Sequence, residues 1–277
     1  MRRTLVIACV LTMSLVAAPA VLATTQMAHS GNVTATFTFQ GKYPNYSGET
    51  ITIAQAGTVF YDQPVVSKFC ETECAPGSPF GKQSSVHVVD LEHNGQPDVV
   101  LDLFSGGAHC CSIEQIFSFD PGTMTYVETE RDFWDPGKQI VDLGHNGRYE
   151  FLTADDSFAY EFTDYAASGL PIEILTFSDR HFQNVTRRYP KLIAKDATIW
   201  LKAFTSMSKQ HYQDSVGVIA AWAADQDLLG HSKLVSRFLA QQLKAGHLNS
   251  GLSPEEPGGK KFVANLQKFL RKHGYLR

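Results

Sequence analysis

The sequence has no basic surplus, few cysteines and no second long apolar run, and each shortage closes a class of function. Lys and Arg number 24 against 28 Asp and Glu. A dedicated nucleic-acid binder shows a basic excess, so nucleic acid is excluded as the main partner. Beyond residues 5–17 no stretch approaches the ~20 apolar residues of a bilayer span, so no stable membrane span is expected after the N-terminal segment is removed. Ser105-Gly106-Gly107 resembles neither a nucleophile elbow nor a phosphate loop, and its glycines are read as a tight bend. His93, His109 and His145, with Cys110 and Cys111, offer imidazole and thiolate, but not at a recognised zinc spacing.

What is present begins with a targeting segment. Arg2 and Arg3 precede an apolar run over residues 5–17, and Val21-Leu22-Ala23 is a small-residue cleavage site. Residues 1–23 therefore read as a signal peptide, and the mature chain as a secreted or otherwise extracytoplasmic protein, in the periplasm or outside the cell. Export leads to an oxidising compartment. Cys9 leaves with the signal, and Cys70, Cys74, Cys110 and Cys111 remain. Adjacent cysteines close only a strained ring. The expected disulfides therefore join the Cys70/Cys74 segment to the Cys110/Cys111 segment, in either of two registers.

Residues 24–188 read as β-rich. Val33, Ala35, Phe37 and Phe39 alternate with polar neighbours, as a half-buried strand does. Residues 50–53 alternate again, across a turn-rich stretch at 41–49. Strands are expected at 86–89, 99–104, 113–119, 124–127, 139–142, 151–154, 158–162 and 172–177. From about Pro190 the period becomes helical. Asp196 is placed to cap a first helix, and further apolar stripes run through Val216–Ala223, 234–243 and 262–270. Gly246 is a stop, and residues 248–259 form a Pro/Gly/Ser-rich linker. The fold class is α+β: a β-rich domain over 24–188, then a small α-helical domain over 189–277.

The centre of the β-rich part is a strand–loop–strand unit at residues 86–104. Its loop places Asp90, Glu92, Asn94 and Asp98 at the first, third, fifth and ninth positions, with Gly95 at the sixth. Oxygen donors spaced in this way around a glycine turn suit a hard cation such as Ca²⁺. Without an ion the same residues make a tight polar turn through side chain-to-backbone bonds. Half of the pattern returns 52 residues later, from Asp142, with Asn146, Gly147 and Glu150 at equivalent places.

This arrangement resembles the FG-GAP/VCBS-type repeats of integrin α-subunit heads and of many secreted bacterial proteins. The resemblance implies blades of a β-propeller with Ca²⁺ held by Asp90, Glu92, Asn94 and Asp98, and by Asp142, Asn146 and Glu150 in the second copy. Two departures stand out: Gly144 removes a ligand from the second loop, and Glu92 replaces the usual Asp. The chain is also too short for the family's full ring, so a partial or reduced propeller is expected.

The functional expectation is an exported, non-catalytic binding or structural module, stabilised by Ca²⁺, whose ligand is an extracytoplasmic protein or glycan. The alternative is a secreted hydrolase acting through a carboxylate pair, for which Asp155 and Asp156, with Asp102, Glu114, Asp132 and Asp135, are the candidates.

Overall fold

A computed structural model describes residues 23–70, 73–77, 84–107, 110–210, 214–248 and 258–276. Residues 1–22, within the stretch read as a signal peptide, His109 and most of the 248–259 stretch lie outside the described residues. Among the described residues three antiparallel sheets are followed by four helices.

The first sheet is a meander of β1 (Thr24–Ser30), β2 (Val33–Lys42), β3 (Asn45–Gln55) and β4 (Thr58–Pro64). Alternation in β2 turns Val33, Ala35, Phe37 and Phe39 inward and leaves Thr34, Thr36 and Thr38 on the outer face. The second sheet contains β5 (Ala75–Pro76), β6 (Val86–Val89), β7 (Asp98–Gly107), β8 (Cys110–Asp120) and β9 (Thr125–Asp132), with β6 and β5 both paired to β7. The third runs β10 (Gln139–Val141), β11 (Glu150–Ala154), β12 (Ile172–Ser178), β13 (His181–Asn184).

The sheets stack face to face in chain order. Val99, Leu101 and Leu103 of β7 meet Phe37, Ile51 and Ile53 of the first sheet. Val100 on the other face of β7, with Ile116 of β8, meets Phe151, Leu175 and Phe177 of the third. The middle sheet is thus buried on both sides, which is why β7 reads as a nearly unbroken apolar run rather than an alternating one. Each fully buried Phe or Leu contributes roughly 1.5–3 kcal/mol. The described sheets form a row and do not close into a ring.

Helix α1 (Pro190–Lys209) starts at a proline, whose fixed φ suits the first helical position. It is followed by α2 (Ser215–Leu228), α3 (Ser232–Lys244) and α4 (Gly259–Lys272). Helix α2 is apolar nearly all round, and it is buried nearly all round. Ala197 and Phe204 of α1, Val235 and Leu239 of α3, and Phe262, Leu266 and Phe269 of α4 share its core. Among the described residues no helix is long and apolar enough to cross a membrane.

Several expectations are corrected. Residues 158–162 are not a strand. Asp155 accepts from the Ser157 N–H at 3.0 Å and caps a short 3₁₀ turn, Asp156–Phe158. Phe158 and Phe162 then pack into the helical core instead of a sheet. Asp196 lies inside α1 rather than at its start, accepting from the Ile172 N–H at 3.0 Å and the Trp200 indole at 2.9 Å. The 41–49 stretch is mostly strand, turning only at Tyr43-Pro44. Strands β1, β4 and β13 were invisible because their residues are mostly polar or exposed, without the alternation that marks a half-buried strand.

The disulfide expectation is also overturned. Cys70 bonds to Cys74, whose Cα atoms lie 5.6 Å apart, within the range a disulfide spans. Cys111 is disulfide-bonded as well, so neither Cys70 nor Cys74 is its partner. The side chain of Cys110 lies outside the description.

Gly217 lets α2 approach the preceding loop closely. A Cβ there would lie 2.3 Å from the Ala167 carbonyl oxygen and 2.5 Å from the Thr163 methyl. Gly217→Ala is expected to cost ~1–3 kcal/mol by overpacking. Urea denaturation should show a lower midpoint, and an unchanged midpoint would contradict this close approach.

Candidate functional site

The two repeated loops adopt the same turn. Asp90 accepts from the N–H groups of Asn94 (3.0 Å) and Gly95 (2.8 Å), and Asn94 accepts from Gln96 at 2.8 Å. Asp142 accepts from Asn146 (3.0 Å) and Gly147 (2.9 Å), and Asn146 accepts from Arg148 at 3.0 Å. His93 and His145 both have left-handed backbone, as do Gly95 and Gly147. The first loop sits on the second: a Cβ on Gly147 would lie 2.4 Å from His93 Nδ1, and Tyr149 N–H donates to the Leu91 carbonyl at 3.1 Å. Packing therefore accounts for His93.

The carboxylates expected to hold Ca²⁺ have protein partners. Glu92 reaches across to the third sheet, accepting from the Ser178 hydroxyl at 2.9 Å and the Asp179 N–H at 3.2 Å. Asp98 is buried and accepts from the Ser118 hydroxyl at 2.6 Å. Burial first, and then nearby Glu92, push its carboxyl up to about 7, against the Ser118 bond. Glu150 accepts from the Leu143 N–H and the Tyr189 hydroxyl. Among the described residues no group of three or more His, Cys, Asp or Glu converges as metal ligands. Both loops are hydrogen-bonded turns, and Glu92, Asn94 and Asp98 line one crevice of about 260 Å³ with Asp120 and Asp179, whereas Asp90 is turned to the backbone of its own loop.

The structure sorts the candidate acids into two places. Asp102 and Glu114 are cross-strand neighbours on the face of the second sheet turned toward the third. Lys138, just ahead of β10, donates to both. His87 Nε2 lies 3.1 Å from Asp102. Burial opposes ionisation of Asp102, but the His87 bond and the Lys138 charge outweigh it and hold Asp102 below the usual range. Glu114 has no exposed surface; burial first, then Asp102, raise it. This cluster ties two sheets together.

Asp132, Asp155 and Asp156 meet elsewhere, around a crevice of about 300 Å³ lined also by Arg131, Trp134, Ser157 and Glu173. Asp135 lies beside it and accepts from the Tyr165 hydroxyl. Asp156 is pushed up to about 6, by burial and then by Asp135, Asp132 and Asp155. Glu173 is raised by burial and Asp155; it accepts from Asn184 at 3.0 Å and faces Arg131 at 3.5 Å. Arg131 itself lies over the rings of Phe133 and Phe182.

Two aromatic side chains stand out at this place. Trp134 is 50% exposed and Tyr160 is 60% exposed. Both have positive φ, of 53° and 58°. Bulky residues rarely adopt that conformation, and such strain concentrates at functional sites. Tyr160 packs against Tyr165 at 5.4 Å between ring centres. Tyr165 in turn donates to Asp135, the residue after Trp134, which links the two tyrosines to the edge of the acidic crevice. The acids were on view in the sequence; Trp134, Tyr160, Tyr165 and Glu173 were not. An aromatic between Asp132 and Asp135 was the available signal.

Behind the crevice a second one, of about 600 Å³, shares Asp155 and Glu173 and opens between the third sheet and the helices. Tyr275 closes one wall, donating to Asp155 at 2.6 Å. Arg187 donates to the carbonyls of Leu228, Gly274 and Tyr275 at 2.8–2.9 Å, placing a cation at the C-terminal ends of α2 and α4.

No family model matches the chain. No solved structure matches it either. It is similar to a probable thylakoid lumen protein of Synechocystis sp., 24% identical over 149 residues, covering 52% of this chain and 44% of that protein. It is also similar to an uncharacterized protein of Sinorhizobium fredii, 23% identical over 197 residues, covering 65% of this chain and 30% of that protein. The chain therefore spans less than half the length of these curated relatives.

Three outcomes are expected. Lys138→Met leaves two buried carboxyls without their cation and should cost ~3–5 kcal/mol in denaturant unfolding; a loss below ~1 kcal/mol would contradict the cluster's structural role. Glu49, Asp98 and Glu128 are raised to about 7 and Asp156 to about 6. In the unfolded chain such groups titrate near ~4, so between pH ~4 and ~7 the folded state holds more protons and stability falls as pH rises. The thermal midpoint should be higher at pH ~5.5 than at pH ~7.5; the reverse order would contradict these burials. Third, the midpoint should be equal in Ca²⁺ and in chelator, whereas an ion at 100 times its Kd would add ~2.7 kcal/mol.

Proposed function

We propose that the chain is an extracytoplasmic binding module whose ligand is a glycan, held in the crevice at Trp134. The carrying observation is the half-exposed, left-handed Trp134 beside Asp132, Asp155 and Asp156 in one 300 Å³ crevice. An indole face takes the C–H face of a sugar ring, while carboxylates accept from its hydroxyl groups. The crevice repels anions, so a neutral or amino-bearing sugar fits better than an acidic one. The N-terminal signal pattern supports the location, as does similarity to a relative named as a probable thylakoid lumen protein.

A secreted glycoside hydrolase is the alternative, and one observation favours it. Asp156, raised to about 6 among other acids, would keep its proton up to about pH 6, as a general acid working in mildly acidic conditions must. Catalysis and binding part company in one experiment. The mature chain and its Trp134→Ala and Asp156→Asn variants are screened on an array of neutral and amino oligosaccharides, and the hits are checked for cleavage. The binding module predicts retained, uncleaved ligand and at least tenfold weaker binding by Trp134→Ala. Cleavage abolished by Asp156→Asn would establish the hydrolase, and no glycan bound or cleaved would end both.

A further inference from the structure

We infer that the exposed face of α3 and α4 docks on an anionic lipid surface. The two parts of the chain are oppositely charged. Residues 24–188 carry 9 Lys and Arg against 22 Asp and Glu, whereas residues 189–277 carry 13 against 6. Two of those six acids, Asp225 and Asp227, are buried in α2 and add nothing to the helical surface.

The cations concentrate on α3 and α4, which carry eight Lys and Arg and no Asp or Glu. On α4 the exposed side chains Lys261, Lys268 and Lys272 fall in one line along the axis, and on α3 the exposed Lys233 and Arg237 lie one turn apart. The apolar faces are already occupied: Phe262, Leu266 and Leu270 of α4 and Val235 and Leu239 of α3 lie in the bundle core. The helices therefore have nothing to insert, and attraction would be electrostatic at headgroup level. A groove of about 500 Å³ runs beside α4, with Lys268, Lys272, Asn265 and Glu161 on its walls. The cations spread along two helices rather than converging on that groove, so they match an extended charged surface better than a small anion. Of the acids in residues 24–188, Glu161 sits beside Lys268 and Lys272; the net acidic charge of that part favours an orientation with the helices toward the lipid.

The test is sedimentation of the mature chain with vesicles of phosphatidylglycerol and phosphatidylcholine, and with vesicles of phosphatidylcholine alone. Each Lys near an anionic surface contributes about fivefold, so Lys261→Gln/Lys268→Gln/Lys272→Gln should bind on the order of 100-fold more weakly. Wild-type binding should vanish at about 0.5 M NaCl, where charge is screened within a few ångströms. The substituted positions are exposed, and an unchanged melting midpoint would show that the variant is folded. Equal binding to phosphatidylcholine alone, full affinity in the variant, or no vesicle binding would overturn the inference. Binding of soluble heparin without vesicle binding would overturn it too, and would point to a polyanion instead.

Discussion

The position of Lys138 between Asp102 and Glu114 is the contact on which the stacking of the second and third sheets depends. Both acids face inward from the centre of the middle sheet, where apolar residues fill the rest of the face. Without a cation at that point the third sheet could close only by burying unpaired charge. Lys138 comes from the segment that starts the third sheet, so ion pairing and register are set together. Glu92 makes a second link between the two parts, without a cation, accepting from the Ser178 hydroxyl and the Asp179 N–H.

That fixed interface positions the crevice. Asp132 ends β9 in the second sheet, while Asp155 follows β11 in the third. They line one crevice because the sheets between them are held in register. The helical part walls the second crevice behind it: Tyr275 donates to Asp155, and Arg187 ties the ends of two helices to the chain leaving the third sheet. The chain thus carries an acidic, aromatic-edged crevice on one part and exposed cations on another.

Much of the fold was legible because burial left periodic marks. The alternation of Val33 to Phe39, the unbroken run of Val99 to Leu101 and the helical stripes of α2 to α4 each state their surroundings. Phe158 and Phe162 misled, since two phenylalanines four apart fit a strand's alternation and a helical core's edge equally well. The Asp90 turn was legible in the sequence, but the same Asp and Asn oxygens satisfy backbone N–H groups or a cation, so the spacing alone does not choose between a turn and an ion site. The disulfide pairing was not legible, because four cysteines allow three pairings and spacing alone does not choose among them. Trp134 was hidden for a different reason. A lone tryptophan reads as core until its exposure is known, and exposure follows from the tertiary structure around Asp132 and Asp135.

The chain's three tryptophans give the most direct measurement. Trp200 is bonded to Asp196 and Trp222 is buried in α2, which leaves Trp134 at the crevice. Indole N–H signals can be followed by ¹⁵N NMR while a neutral oligosaccharide is added. A ligand in the crevice predicts that the Trp134 signal alone moves and saturates. Saturable binding that leaves Trp134 unmoved would contradict the account.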